Sequence, residues 1–208
     1  MWDTGLETIQ AEVQEQLVRR HVFWEVQDII RVNQKIQIPS SFYTWMGGVY
    51  VDSAVIAVRR QLDRRPDSVS IARLLAAIKT SPRVLSRERY VRLYEGSGLP
   101  EHFAHRDFDR FAGQVGTHVD PAIVRVDLDR LRDTCANITR FASKRVAHVD
   151  EQEQVLPTFQ DLDKCLDVLE ELLKKYLALF RAEAHVRILP VWQYDWKAIF
   201  RQPWIPPS

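Results

Sequence analysis

The chain has 208 residues, of which 46% are apolar and 27% are charged, and its formal net charge is +1. This make-up is typical of a globular protein with a sizeable core, and the balanced charge excludes nucleic-acid binding through an overall basic excess. Glycine is scarce at 7 residues and the dipeptides Asn-Gly and Asp-Gly do not occur, which argues against an all-β fold.

Two long helices are predicted first, over residues 5–36 and 41–64. In the first, apolar residues recur at helical spacing, with Thr4 as a candidate N-cap: Leu6, Ile9, Val13 and Leu17. Pro39 separates it from the second helix, for which Ser40 or Ser41 is the candidate N-cap. Residues spaced by three and four predict one buried face of that second helix: Phe42, Met46, Val49, Ser53, Ile56, Arg60 and Asp63.

Arg60 and Asp63 stand on that face where core residues are expected. Because a buried charge is costly without a partner, two explanations stay open. The pair is structural, tying two helices together or marking where the helix emerges into water, or this end of the helix lines a polar site.

The middle of the chain, residues 66–118, is predicted as an insertion of short helices over 68–79, 83–94 and 101–112. Two long helices follow, from Pro121 to about 147 and from Thr158 to about 184. The first of these has its apolar stripe at Leu128, Leu131, Cys135, Ile138 and Ala142. The stripe of the last helix suits a bundle: Leu162, Leu166, Leu169, Leu173, Tyr176 and Phe180.

These elements predict an all-α, up-and-down four-helix bundle that occupies residues 1–208 as one domain. The tail from Ile188 holds Trp192, Trp196, Phe200 and Trp204, and we expect these rings to pack along the bundle or onto a second subunit. Cys135 and Cys165 lie at apolar helix positions and are expected to be buried thiols in a reducing compartment. The polar N-terminus does not resemble a signal peptide and no apolar run suffices to cross a membrane, so we expect a cytoplasmic location without membrane contact.

A candidate site lies where the helix from Pro121 ends, in the stretch Ser143-Lys144-Arg145-Val-Ala-His148-Val-Asp150. A neutral imidazole beside cationic side chains suits metal-free RNA cleavage, with His148 as acid or base, Arg145 and Lys144 on the phosphate, and Asp150 orienting the ring. The alternative is structural, because cationic side chains at a helix C-terminus also complement the helix dipole.

The same stretch, between two long helices, resembles the signature turn of the HEPN superfamily, and more closely its AbiU-like branch, which is associated with abortive phage infection. Further stretches similar to that branch are Tyr50–Asp63, Ser70–Leu75 and the Pro-Thr-Phe-Gln-Asp-Leu-Asp run that ends at Asp163. The resemblance implies a HEPN-like helical bundle that forms a homodimer and brings two signature turns into one cleft. Many HEPN proteins are metal-independent ribonucleases that act as toxins or antiphage effectors.

The family motif places an Arg four to six residues before the His, followed by Asn or another polar residue. With His148 matched, these positions fall on Ala142 and Ser143, so the Arg is absent from its place. The phosphate would then be held by Arg145, Arg140 or the pair Arg59 and Arg60.

Three functions follow from these residues. The first is an RNA-cleaving effector of phage defence with His148, Arg145, Ser143 and Asp150 as catalytic residues and Arg59, Arg60 and Lys144 as phosphate-binding residues. The second is a catalytically inactive HEPN domain that binds a nucleotide, an RNA or a protein, such as a cognate nucleotidyltransferase, and the third is a structural dimerising bundle. No cofactor and no metal are expected, since the histidines and aspartates of 102–118 lack a recurrent ligand spacing.

Overall fold

The computed structural model describes residues 2–147 and 157–204, and the described part is all-α. It contains α1 (Trp2–Val32), α2 (Ser41–Gln61), α3 (Ile71–Thr80), α4 (Arg87–Arg92), α5 (Glu101–Ala112), α6 (Pro121–Thr134), α7 (Ala136–Ala147) and α8 (Phe159–Arg181). Short 3-10 helices occupy Gln34–Ile36, Pro82–Val84 and Trp196–Arg201. In these residues β-structure is limited to an isolated bridge between Ser86 and His118.

Three of the long helices, α2, α6 and α8, begin where the sequence predicts. The Ser40 side chain accepts a hydrogen bond from the Phe42 amide at the start of α2, and Asp120 with Pro121 begins α6. Thr158 and Asp161 form a reciprocal capping box at the start of α8, and this interaction lowers the pKa of the Asp161 carboxyl. The predicted N-cap Thr4 is wrong, because α1 already begins at Trp2.

The helices α2 and α8 both run antiparallel to α1. Residues 12–23 of α1 pair in reverse order with residues 61–50 of α2, from the Glu12–Gln61 hydrogen bond to the stacked rings of Phe23 and Tyr50. In α8, Asp167 contacts Arg20 of α1 while Arg181 contacts Glu7, so α8 also runs opposite to α1. The apolar stripes predicted for α1, α6, α7 and α8 are buried in one core.

The buried face predicted for α2 is wrong. Phe42, Val49 and Ile56 are exposed, at 45%, 50% and 60% of their surface. The core-facing residues lie further round the helix, and among them the small Ala54 allows close packing against the neighbouring helices α1 and α8. They are Tyr50, Ala54, Val55, Val58 and Gln61. Apolar residues recur at intervals of three and four on both the exposed and the buried face of this helix. The spacing alone therefore does not distinguish the two faces.

The single helix predicted from Pro121 to 147 is divided at Cys135. Cys135 is the C-cap of α6, and its carbonyl accepts hydrogen bonds from both the amide and the hydroxyl of Thr139 in α7. The helix α7 packs against α2. Residues of the segment 66–118, such as Leu75 and Phe108, lie in the same core as the long helices.

The aromatic tail lies along α1 and reaches α2. The Trp192 and His21 rings lie 4.8 Å apart between centroids, Lys197 pairs with Glu25, and Trp204 meets Phe42 at 6.4 Å. Within 2–147 and 157–204, the helices are all too short or too polar to cross a bilayer.

Gln61, which is 2% exposed, joins three helices. Its amide nitrogen donates to Glu12 of α1 at 2.8 Å, and its oxygen accepts from the Ile71 amide at the start of α3 at 3.1 Å. Gln61→Leu keeps the volume but leaves the Ile71 amide without its partner, which we expect to lower the free energy of unfolding by about 1–3 kcal/mol. Urea denaturation followed by circular dichroism measures this loss.

Gln160→Leu is the matched control, because Gln160 is an exposed glutamine in the first turn of α8. Its effect should stay within about 0.5 kcal/mol. Equal stability of the two variants would show that the Gln61 amide does not hold the three helices together.

Candidate functional site

A groove of about 520 Å³ lies where the C-terminal end of α2 meets the junction of α6 and α7. The described residues that line it include three arginines and two hydroxyl residues but no acidic residue: Leu62, Arg64, Arg132, Ala136, Thr139, Arg140 and Ser143. We call it the arginine groove. On the α6–α7 side, Arg132, Ala136 and Arg140 follow each other at intervals of four, and all three line the groove.

The three arginines are exposed and, within the residues described, have no carboxylate partner. Other arginines nearby are neutralised, since Arg60 pairs with Glu12 and Arg130 pairs with Glu171. Like charges that converge without a counter-ion repel each other, and a bound anion relieves that repulsion. The planar guanidinium group also matches the oxygens of a phosphate, so the groove is chemically suited to a phosphate group.

Of the four predicted catalytic residues, Ser143 is the one whose side chain the structure describes. It is exposed and lines the arginine groove together with Arg140. Lys144 and Arg145 belong to α7, and the structure describes only their backbone. His148 and Asp150 lie outside the described residues, so their predicted roles stay predictions.

Of the residues predicted on α2, none lines the groove. Arg59 is exposed in the last turn of α2, and it precedes the groove residue Leu62 by three positions, which places it on the same side of the helix. Arg60 faces α1 and is held by Glu12. Asp63 pairs with Arg65 at 2.7 Å, and hydrogen bonds from Arg65 lower the pKa of this carboxyl.

Arg60 and Asp63 therefore have separate partners. The first joins α2 to α1, while the carbonyl of the second accepts hydrogen bonds from Ser68 and Ser70 before α3. Both hold the end of α2 in place, and Leu62 and Arg64 of the groove belong to this end.

Sequence reasoning missed Arg64 and Arg132. Arg64 lies in a stretch that indicated only the end of a helix, and Arg132 lies on the polar side of α6. The interval of four from Arg132 to Ala136 and Arg140 was the available signal, but only the fold brings these residues to the end of α2.

Other polar clusters fit an anion less well. A cavity of about 870 Å³ in the segment 66–118 is lined by arginines and histidines, but also by Glu88, Glu95 and Glu101. Its Arg87 is engaged by Asp109 and by three backbone carbonyls. In the part of the chain described, histidine, cysteine and acidic side chains do not form groups of three that could hold a metal.

The cysteines are not suited to nucleophilic chemistry. Cys135 and Cys165 are buried free thiols, and the Cys165 thiol donates to the Thr134 carbonyl at 3.6 Å. Hydrogen bonding to Cys165 and burial raise the pKa of Cys135, so its thiol stays protonated at neutral pH.

No family model, curated protein or solved structure matches the chain. The similarity to the AbiU-like HEPN branch thus stays a resemblance carried by the short stretches quoted above.

Ala142, at the position of the family's Arg, is 4% exposed and packs in the core. Ala142→Arg would bury a guanidinium group among apolar side chains, so we expect a loss of more than about 2 kcal/mol of unfolding free energy. The neighbouring change Ser143→Arg places the same group in solvent at the groove and should cost less than about 0.5 kcal/mol. Chemical denaturation of both variants measures the difference, and equal losses would contradict the inward direction of position 142.

Proposed function

We propose that this protein is a HEPN-like RNA-binding effector of the phage-defence or toxin type that cleaves RNA without a metal. The observation that carries the proposal is the arginine groove, which is lined by three exposed arginines without described acidic partners and by two hydroxyl residues. The antiparallel direction of α2 and α8 relative to α1 supports the finer proposal of a HEPN-like up-and-down bundle.

The position of the groove along the chain supports the link to the predicted catalytic stretch. Arg140 and Ser143 line the groove, and Lys144 and Arg145 follow them in the last turns of α7. In the sequence, His148 follows Ala147, the last described residue of α7. A phosphate in the groove would therefore be bound in part by Arg140 and Ser143, which lie eight and five positions before this histidine in the chain.

The reaction proposed for this site is transesterification within the RNA backbone. His148 takes the proton of a ribose 2′-hydroxyl, and the oxygen attacks the adjacent phosphorus. The bond to the 5′-oxygen breaks as that oxygen takes a proton from water, which leaves a 2′,3′-cyclic phosphate and a 5′-hydroxyl. Negative charge accumulates on the phosphate oxygens during this step, and the arginines stabilise it. Homodimer formation belongs to this proposal through the resemblance, and the cytoplasmic location expected from the sequence is part of it as well. A cognate nucleotidyltransferase partner belongs to the second candidate.

A second candidate is a catalytically inactive HEPN domain that binds RNA, a nucleotide or a protein as a dimeric module. Ala142 favours it, because the buried alanine occupies the position of the family's Arg. Both candidates bind an anion at the arginine groove, and they differ in whether His148 reacts.

RNA binding is tested with a fluorescent single-stranded RNA across a series of salt concentrations. Arg132→Ala and Arg140→Ala should each weaken binding several-fold and reduce the slope of log affinity against log salt by about 0.7, the value for one lost phosphate contact. Arg110→Ala is the matched control, since Arg110 is an exposed arginine of α5 that does not line the groove. If all three variants bind like the wild type, the groove does not bind RNA.

Cleavage is tested by incubating total RNA with the protein in the presence of a chelator. We expect the wild type to cut, and His148→Ala to cut at least about 100-fold more slowly, since general acid–base catalysis contributes about this much. His102→Ala, at an exposed histidine of α5, should cut like the wild type. Equal cleavage by wild type and His148→Ala would remove this histidine from the mechanism, and RNA binding without cleavage would favour the inactive module.

A further inference from the structure

A second cavity, of about 480 Å³, lies between α2, α7 and the start of α8. Aromatic and small residues line it, and its described lining carries no charge: Tyr43, Thr44, Gly47, Gly48, Val51, Phe141, Pro157 and Phe159. We call it the aromatic cavity. A phosphate group does not suit such a lining, because an unpaired charge is costly away from water, whereas a flat uncharged ring suits it well.

Phe159 gives this cavity a firm wall. Its ring is 39% exposed, and it is supported from behind by Phe23 and Trp24, with centroid distances of 5.3 and 5.8 Å. Tyr50 also stacks on Phe23 at 4.2 Å, so the support is part of the core between α1 and α2. A ring that enters the cavity therefore meets an aromatic side chain that is already held in place.

Gly47 and Gly48 form another wall, in the middle of α2. Glycine weakens a helix interior relative to alanine, so two in succession need a reason. Close packing is not that reason, because a Cβ built on either residue has no described atom within 4 Å. The glycines instead leave space at the cavity, which allows a bound group to approach the helix closely.

The aromatic cavity and the arginine groove lie along the same pair of helices. On α7, Arg140 lines the groove while the next residue, Phe141, lines the cavity. On α2, Val51 of the cavity and Leu62 of the groove are separated by eleven residues, or about 16 Å of helix. A short stretch of single-stranded nucleic acid can cover this distance with a phosphate at one end and a base at the other.

We propose that the aromatic cavity binds one unstacked base of a single-stranded RNA whose backbone phosphate is held in the arginine groove. This proposal rests on the proposed function and names its substrate class. Recognition of RNA commonly uses bases that leave the stack and lie against aromatic side chains, which a paired duplex does not offer. The uncharged cavity takes the base, the cationic groove takes the phosphate, and the Thr44 hydroxyl is a donor or acceptor for the edge of the base.

The test compares two RNA hexamers by fluorescence anisotropy: hexauridine, and a hexamer with the same ribose-phosphate backbone but no bases. The wild type should bind hexauridine about tenfold more tightly, since one stacked base contributes on this order. Gly48→Leu fills the cavity and should bind both hexamers equally, with the affinity of the wild type for the base-free one. Gly48→Ala is the matched control, because a single methyl leaves most of the cavity open and should retain the preference.

The variants also separate this proposal from the proposed function. Leucine favours a helix more than glycine does, so Gly48→Leu should melt at or above the wild-type temperature, and its loss of preference is not unfolding. If Gly48→Leu still prefers hexauridine tenfold while Arg140→Ala binds both hexamers weakly, the cavity proposal is overturned and RNA binding at the groove stands. If Arg140→Ala binds both hexamers like the wild type, the proposed function fails as well.

The same measurement distinguishes the other class of occupant. Should the wild type bind hexauridine and the base-free hexamer with equal affinity, the cavity does not take a base, and an apolar side chain of a protein partner becomes the better candidate.

Discussion

The geometry of the arginine groove depends on how the C-terminal end of α2 is fixed. Gln61 is buried there. Its side-chain amide donates a hydrogen bond to Glu12 of α1 and accepts one from the Ile71 amide at the start of α3. A buried amide with hydrogen-bond partners on two other helices holds the three helices in one arrangement. A shift of any of them would leave buried polar atoms without a partner. Leu62 and Arg64 follow immediately, so the same interaction that joins three helices places one side of the groove.

The groove is basic although the chain as a whole is nearly neutral. The reason lies in how the charges are partnered, since many acidic residues are committed to specific ion pairs elsewhere. Buried Asp127 is an example, because it accepts hydrogen bonds from Lys175 at 2.6 Å and from the Tyr176 hydroxyl at 2.8 Å. Burial, together with the charge of Asp127, raises the pKa of Tyr176 and keeps its hydroxyl a donor. Local charge therefore reflects the fold rather than the composition.

The sequence predicted the helices of the fold well where caps and apolar stripes agree. Asp120-Pro121 and Thr158 mark helix starts through local chemistry, and the leucines of α8 are buried as their spacing indicates. The face of α2 was predicted wrongly, because its exposed apolar residues repeat at the same interval as its buried ones. The break at Cys135 was missed, because no glycine or proline stands at this point of the sequence to mark it.

The candidate site was predicted only in part. Ser143 and Arg140 were identified in the sequence, the first as a candidate catalytic residue and the second as a possible phosphate ligand. Arg64 lies 76 residues before Arg140 and 79 before Ser143, and only the packing of α2 against α7 brings it near them. Contacts between residues so far apart in the chain have no local signature, so the groove emerges only from the fold.

The central claim is that the arginine groove binds the RNA phosphate, and NMR of the arginine side chains tests it most directly. In a titration with uridine trinucleotide, the Nε–Hε signals of Arg64, Arg132 and Arg140 should shift together with one midpoint, while that of Arg110 should stay constant. Shifts confined to arginines of the segment 66–118, or no shift at all in the groove arginines, would contradict the account.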